Sequence, residues 1–140
     1  MDRLTAAKRS WNMSRIRSRD TKPEKVARSI LHGVGFRFSL NRRDLLGNPD
    51  IVLPKYRTVI FVHGCFWHQH RACAEASSPK TRKSYWTEKL AKNVARDRIN
   101  KRELIRRGWR VIILWECMIE KKKTRVTNIL KTIKTADGNR

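Results

Sequence analysis

Acidic residues are scarce in this 140-residue sequence, where Asp and Glu number 12 against 34 Lys and Arg and the formal net charge is +22. That excess is more than solubility requires and indicates a polyanionic partner, either nucleic acid or an anionic membrane. No apolar run approaches the roughly 18 residues that a membrane span requires. Nucleic acid is therefore the expected partner, with a basic protein of the ribosomal kind as the alternative.

Cysteine is also scarce and odd in number, with Cys65, Cys73 and Cys117 as the complete set. In a reducing compartment such a set favours thiolates or metal ligands over a disulfide framework. The first residues lack the apolar segment of a signal peptide, so we expect a cytoplasmic protein that is not secreted.

The length is typical of one domain, and no internal repeat or long low-complexity segment is present. Residues 1–20 are basic and weakly periodic, and we interpret them as an arm that contacts DNA, with a disordered tail as the alternative. Residues 21–135 are expected to form the single domain, and residues 136–140 a disordered tail.

The hydrophobic patterns predict alternating helices and strands. Thr21 and Glu24 form a capping box at the start of a helix, which Gly33 or Gly35 ends. Strands are expected at 36–40, 50–53, 58–62 and 111–115, and further helices at 81–107 and around 126–133. The third strand should be central and the fourth fully buried. The long helix permits a right-handed crossover, so the expected class is α/β, a mixed central sheet with helices on both faces.

Five apolar positions of the long helix are expected to face inward: Trp86, Leu90, Val94, Leu104 and Ile105. Asn93 and Asp97 lie one turn apart on the face of Trp86 and Leu90. A carboxylate on an apolar face must find a partner. A histidine is the natural partner and would resemble the orienting half of a catalytic triad, while flanking arginines are the alternative.

Residues 63–73 hold two of the three cysteines and three of the four histidines. Cys65, His70 and Cys73 have the spacing C-x4-H-x2-C, and Cys117 follows a predicted buried strand. These four can complete a tetrahedral zinc site that crosslinks a loop and leaves no open position for catalysis. The alternative for Cys117 is an ordinary buried cysteine.

A second metal site is expected at the ends of two neighbouring strands. Asp50 begins one strand, and another strand, twelve residues on, delivers Val62 and His63. A carboxylate beside a backbone carbonyl suits Mg²⁺, which keeps several waters and can bind a phosphate. Glu24 could hold a metal-bound water or could serve the capping box alone. Asp50 could be a turn carboxylate and His63 a core histidine.

Large aromatic residues accompany these polar groups. Phe66 and Trp67 are adjacent on the cysteine-bearing loop, and Trp86 opens the long helix. Apolar wedges in a strongly basic protein suit insertion between base pairs. The alternative is that Trp86 belongs to the core and Phe66 covers the sheet.

Several segments resemble the very short patch repair (Vsr) endonucleases, and the resemblance covers roughly residues 8 to 120. The segments are Asn12-Met13, Arg19-Asp20-Thr21, Pro49-Asp50, Phe61-Val62-His63-Gly64-Cys65-Phe66-Trp67-His68, Tyr85-Trp86, Lys92-Asn93-Val94, Arg96-Asp97-Arg98, Gly108-Trp109-Arg110-Val111 and Trp115-Glu116-Cys117. The family nicks DNA 5′ to the thymine of a T·G mismatch, which arises when 5-methylcytosine deaminates. Its fold resembles that of type II restriction endonucleases, with a zinc site added.

The resemblance implies catalytic roles for residues of this sequence. Asp50 and the carbonyl of Val62 would bind Mg²⁺, and Glu24 would support the metal through water. His68 would act as the general base, oriented by Asp97.

The resemblance also implies contacts with DNA and zinc. His63 would touch the scissile phosphate. Phe66, Trp67 and Trp86 would insert beside the mismatch from the major-groove side, and Met13 and Asn93 would contact DNA. The zinc ligands would be Cys65, His70, Cys73 and Cys117.

Two positions depart from the family pattern. Val62 stands where the pattern has threonine. This change is tolerable if only the backbone carbonyl binds the metal, and it would impair catalysis if the threonine hydroxyl took part. The interval from His70 to Cys73 is one residue longer, which leaves Gln69 as a less suitable alternative ligand. The expected function is a monomeric nicking endonuclease, with mismatch-repair proteins as candidate partners. The alternatives are a zinc-stabilised DNA-binding module without catalysis and a restriction-type nuclease that cuts both strands.

Overall fold

A computed structural model of the protein describes residues 21–40, 42–71, 73, 76 and 82–138. Four strands form one sheet: β1 (Ser39–Leu40), β2 (Ile51–Leu53), β3 (Thr58–His63) and β4 (Arg110–Trp115). The helices are α1 (Lys22–Val34), α2 (Lys83–Arg106), α3 (Glu116–Lys121) and α4 (Lys123–Gly138), with a short 3-10 turn at Pro54–Tyr56. The predicted arm at residues 1–20, with Met13, lies outside the described residues.

The sheet is mixed, as the sequence predicts. Its order is β1-β2-β3-β4. The pairs β1–β2 and β2–β3 are antiparallel, and the pair β3–β4 is parallel. The parallel pair is joined through α2, as the crossover prediction required. Strand β3 is central, because it pairs with β2 on one side and β4 on the other.

Side chains of β3 alternate between two apolar layers, so helices cover both faces of the sheet. Ile60 packs with residues of α1, α3 and α4, whereas Val59 and Phe61 pack with Leu104 of α2. His63 has the same strand parity as Phe61, and the two rings lie 5.7 Å apart. The last residue of β3 therefore faces the side of the sheet that α2 covers.

Helix α1 has the ends that its sequence predicts. The Thr21 hydroxyl accepts a hydrogen bond from the Glu24 backbone N–H at 3.4 Å. Gly35, and not Gly33, ends the helix with a left-handed φ of 96°, a conformation that glycine adopts without strain. The capping contact fixes the first turn of the helix, and Glu24 in that turn lines the same cleft as Asp50 and His63.

Several details differ from the expectations. Strand β1 is only two residues long, so most of 36–40 is not paired. Strand β4 is mainly half-buried, with Leu114 alone fully covered, since it is an edge strand of the described sheet. Ile105 is 52% exposed instead of facing inward. The short helix α3 carries Cys117 and was not anticipated.

Helix α4 continues to Gly138, three residues into the segment that was expected to be a tail. None of the helices in the described part of the chain combines the length and the apolar composition needed to cross a bilayer.

The two apolar layers make a matched test of stability. Ile60 is fully buried in the central strand, and Ile105 is 52% exposed on α2. Truncation of Ile60 to alanine leaves a cavity and should lower the free energy of unfolding by about 2–5 kcal/mol. Ile105→Ala should change it by about 0.5 kcal/mol or less. Urea denaturation of both variants measures this, and equal losses would contradict the assigned layers.

Candidate active site and metal centre

The polar residues gather where β3 and β4 end. The strands are parallel, and their last registered pair is His63 with Trp115. Parallel strands end at the same edge of a sheet, so the segments that follow them meet. Cys65 and Cys117 each lie two residues beyond this pair. The pairing explains how thiols far apart in the chain come together.

The four predicted zinc ligands form one cluster. The ligand atoms of Cys65, His70, Cys73 and Cys117 all lie within 4.8 Å of one another. His70 Nδ1 lies 3.7 Å from the Cys65 sulfur and 3.4 Å from that of Cys117. A tetrahedral zinc ion with ordinary bond lengths separates sulfur from nitrogen by about 3.6 Å. The donor set and its dimensions therefore fit a zinc ion.

Neighbouring contacts support this cluster. The His70 ring stacks on Trp115, with centroids 4.2 Å apart and an interplanar angle of 11°. Gln69 instead donates from its amide to the Phe66 carbonyl at 2.6 Å, so His70 is the residue that faces the thiols. Burial raises the pKa of the Cys65 thiol to about 12. A bound cation is needed to hold that thiol ionised at neutral pH.

A cleft of about 610 Å³ opens beside the cluster, between the sheet edge, α1 and α2. Five residues with predicted catalytic roles line it together: Glu24, Asp50, His63, His68 and Asp97. They come from α1, the start of β2, the end of β3, the following loop and α2. The fold thus brings the predicted catalytic set to one place.

Asp50 links the start of β2 to the end of β3 through a hydrogen bond. The Val62 N–H donates to the Asp50 carboxylate at 2.6 Å, just beyond the last registered pair of the two strands, Ile51 with Ile60. The N–H and C=O of a strand residue point to the same side, so the Val62 carbonyl also faces the side where Asp50 lies. A carboxylate and a carbonyl oxygen are therefore neighbours at this edge.

The Asp50 carboxyl is costly to ionise in this position. Burial, reinforced by the negative charge of Glu24, raises its pKa from 3.8 to about 7, although the hydrogen bond from Val62 opposes the shift. A divalent cation held between these oxygens would offset that cost. The site has the donor chemistry that Mg²⁺ prefers.

His68 and Asp97 form the predicted pair. The His68 Nδ1 lies 2.5 Å from the Asp97 carboxylate, across 29 residues of sequence. The carboxylate accepts from Nδ1 and leaves Nε2 as the nitrogen that can take a proton. The prediction that Asp97 would find a histidine, and not a flanking arginine, is confirmed by this contact.

The ring of His63 stacks on that of His68, with centroids 3.7 Å apart and planes inclined by 7°. His63 is 5% exposed, and its Nδ1 has no hydrogen-bond partner among the described residues. Burial, together with the charges of His68 and Arg96, lowers the pKa of His63 to about 3 against the opposing effect of Asp97. His63 is therefore neutral at physiological pH.

Turn hydrogen bonds and one side chain of α2 fix the loop that carries His68. The backbone N–H of His68 donates to the Gly64 carbonyl at 3.1 Å. Asn93, 6% exposed, donates from its amide to the Trp67 carbonyl at 3.1 Å. Asn93 thus ties the loop to α2 one turn before Asp97, while its expected contact with DNA stays a prediction.

Aromatic rings form a separate cluster on the same loop. Phe66 contacts Trp67 and Trp86 at centroid distances of 5.1 and 5.5 Å, and Trp67 lies 5.8 Å from Trp86. All three are half-buried. Tyr85, which is exposed, extends the cluster at 5.2 Å from Trp86. Apolar rings therefore stand at the rim of a polar cleft.

Further polar residues line the cleft for which the sequence predicted no role, among them Arg96, Asn100 and Glu116. Asn93, Arg96, Asp97 and Asn100 have the spacing i, i+3, i+4 and i+7, which places them on one face of α2. That spacing was visible in the sequence. Glu116 follows β4 directly, and the parallel pairing alone brings it to the cleft.

Comparison with known proteins gives the family. The family model described as DNA mismatch endonuclease Vsr matches residues 1–75. A protein named type II nicking enzyme V.XorIIP, from Xanthomonas oryzae pv. oryzae, is 46% identical over 132 residues, which span 92% of this chain and 96% of that protein. The chain belongs to the Vsr family.

Two further relatives have similar names. The DNA mismatch endonuclease Vsr of Escherichia coli K12 is 49% identical over 113 residues, covering 81% of this chain and 72% of that protein. The type II nicking enzyme V.NmeAIP of Neisseria meningitidis is 43% identical over 138 residues, covering 96% and 98%. The expectation of Vsr membership from sequence motifs is confirmed.

The raised pKa of Asp50 predicts a stability that depends on pH. Between pH 4 and 7 the folded state holds a proton that the unfolded state releases, so stability falls as pH rises and the loss is complete above pH 7. Asp50→Asn removes this cost and keeps an acceptor for the Val62 N–H. Without Mg²⁺, the free energy of unfolding of the variant should be about 2 kcal/mol higher than that of wild type at pH 8. The two values should be equal near pH 4.

Urea denaturation across this pH range measures the difference between the two proteins. Added Mg²⁺ should then stabilise wild type and not Asp50→Asn. A variant that is no more stable than wild type at pH 8 would show that the carboxyl carries no such cost.

Proposed function

We propose that this member of the Vsr family is an endonuclease that nicks one strand of duplex DNA 5′ to the thymine of a T·G mismatch. The repair of deaminated 5-methylcytosine would be its role. The observation that carries the proposal is one cleft lined both by the hydrogen-bonded His68–Asp97 pair and by Asp50 with Val62. The names of the relatives, a mismatch endonuclease and nicking enzymes, support the reaction class.

Asp50 and the Val62 carbonyl would hold Mg²⁺, and Glu24 would support it through water. When bound there, Mg²⁺ supplies positive charge that stabilises the charge developing on the phosphate. The donors fit this ion because they are hard oxygens, and because Asp50 is an ionisable group whose burial a cation would offset. Valine at position 62 does not hinder a carbonyl ligand.

His68 would take the proton from the attacking water at Nε2. Asp97 accepts from Nδ1, so it fixes the tautomer in which Nε2 is basic, and it stabilises the imidazolium that forms. His63 would contact the scissile phosphate as a neutral ring. A neutral His63 also suits its position, because a cationic ring stacked at 3.7 Å would oppose protonation of His68.

Zinc would fix the loop from a site that lies outside the cleft. With zinc bound by Cys65, His70, Cys73 and Cys117, the loop is crosslinked to α3 and the metal has no open position for chemistry. The loop segment between these ligands carries His68, so the zinc site and the turn hydrogen bonds together position the base. We assign zinc a structural role.

Phe66, Trp67 and Trp86 would enter the DNA beside the mismatch. Inserting rings between base pairs costs a few kcal/mol of unstacking, and a poorly stacked mismatch lowers that cost. Asn93 and Met13 would contact DNA near this point. The rings lie on the loop that also carries His68, so insertion and placement of the scissile phosphate would be coupled.

Further parts of the proposal rest on the family alone. A fold of the type II restriction-endonuclease kind, a monomeric state, an arm at residues 1–20 on DNA, and action in the bacterial cytoplasm accord with the relatives. Mismatch-repair proteins are candidate partners. The mixed four-stranded sheet, with helices on both faces, is compatible with that fold.

Nicking of defined duplexes tests the reaction. With Mg²⁺, the wild-type protein should nick one strand of a T·G duplex and leave a T·A duplex intact. His68→Ala and Asp50→Ala should each slow nicking by about 100-fold or more, since each removes a group that acts on the reacting atoms. His32→Ala, a histidine exposed outside the cleft, is the matched control and should retain full activity.

The outcome also separates the alternatives. Binding of mismatched DNA without cleavage would indicate a binding module, and cleavage of both strands would indicate a restriction-type nuclease. Full activity in either cleft variant would refute the assignment of that residue.

Metal content tests the zinc assignment. The purified protein should contain about one equivalent of zinc. His70→Ala should lose this zinc and melt at a lower temperature, because the loop loses its crosslink. Gln69→Ala and His32→Ala should keep the metal. Elemental analysis by mass spectrometry measures the content, and a His70→Ala protein with full zinc would remove His70 from the ligand set.

A further inference from the structure

The cleft is acidic although the protein is strongly basic. Four carboxylates stand in its described lining, those of Glu24, Asp50, Asp97 and Glu116, in a chain of net charge +22. The basic surface can attract DNA from a distance. Coulomb energy rises steeply at short separation, however, so a phosphate inside the cleft responds mainly to the charges that line it. Glu24 is already paired with Arg28 at 3.2 Å, and Asp50 would face the Mg²⁺ proposed above. A phosphate placed beside His68 and Asp97 therefore needs a further positive group at close range.

Arg96 is the one lysine or arginine among the described residues that line this cleft. It lies on the face of α2 that also presents Asn93, Asp97 and Asn100 to the cleft. Its side chain is exposed and makes no ion pair with the part of the chain that the structure describes. The neighbouring Asp97 is already bound to His68. The Arg96 guanidinium thus keeps its donors for a ligand.

We propose that Arg96 binds a backbone phosphate of the cleaved strand inside the cleft and so places the scissile phosphate against His68. This inference rests on the endonuclease function proposed above, and it names a substrate-binding residue of the same site. A planar guanidinium donates two parallel hydrogen bonds to a phosphate, which fixes orientation as well as distance. The adjacent Asp97 holds the base, so one turn of α2 would position both base and substrate.

The first experiment compares arginines on opposite faces of α2. Arg96→Gln should lower kcat/KM for nicking of a T·G duplex by about 10- to 100-fold, the effect expected for loss of a charged hydrogen-bonded pair. Arg96→Lys should recover part of this loss, because it keeps the charge without the fork. Arg102→Gln is the matched control, since Arg102 is exposed on the face turned away from the cleft. It should stay within about twofold of wild type.

A second experiment identifies the phosphate and does not depend on cleavage. Duplexes carry one neutral methylphosphonate at successive positions around the mismatched thymine, and binding is measured without Mg²⁺. At one position the substitution should weaken DNA binding by wild type and leave DNA binding by Arg96→Gln unchanged. The variant already lacks the charge that pairs with that phosphate. The salt dependence of binding should also become shallower for Arg96→Gln, by a slope of about one.

The results separate two failures. Wild-type protein that binds but never nicks would refute the endonuclease function, and the methylphosphonate series would still decide the role of Arg96. If every methylphosphonate weakens Arg96→Gln as much as wild type, Arg96 touches no single phosphate and the inference is wrong. Equal losses of kcat/KM in Arg96→Gln and Arg102→Gln would mean that the protein's overall positive charge, and not a specific contact of Arg96, explains the effect. That result would also overturn the inference.

Discussion

The parallel pairing of β3 with β4 is the constraint on which the site depends. It sets His63 beside Trp115 at one edge of the sheet, and the segments that leave this edge carry Cys65 on one side and Cys117 on the other. The described loop segment 64–71 is held by the His70 ring stacked on Trp115 and by the thiols around that ring. A different register would move His63 away from Trp115 and would separate Cys65 from Cys117.

The cleft gathers groups that destabilise one another without a ligand. Asp50 is buried near the charge of Glu24, and His63 has an unpaired ring nitrogen among the described residues. Such arrangements cost stability, and they persist where function requires charge to be stabilised at a fixed point. The basic exterior and the acidic cleft suit separate roles. The exterior can attract a polyanion, and the cleft offers carboxylates to a cation beside one pair of stacked imidazoles.

Local sequence patterns predicted most of the elements because each pattern reports a nearby physical requirement. The capping contact of Thr21, the apolar run of β3 and the partner demanded by Asp97 on an apolar face were all readable in the chain, and the structure contains each of them. The patterns failed where a neighbour decides the outcome. Ile105 fits the apolar stripe of α2 and is exposed, whereas its neighbour Leu104 is fully buried against the sheet.

The sequence by itself determined the element types, the metal-binding residue types and the membership in the Vsr family, since these depend on composition, spacing and motif. Only the tertiary structure decided that the thiols meet in one cluster and that residues of two strands and one helix face line one cleft. It also revealed Arg96 and Glu116 in the lining. The reason is physical: periodicity states which side of an element is apolar, whereas the polar neighbours of a residue are set by strand order, strand direction and register.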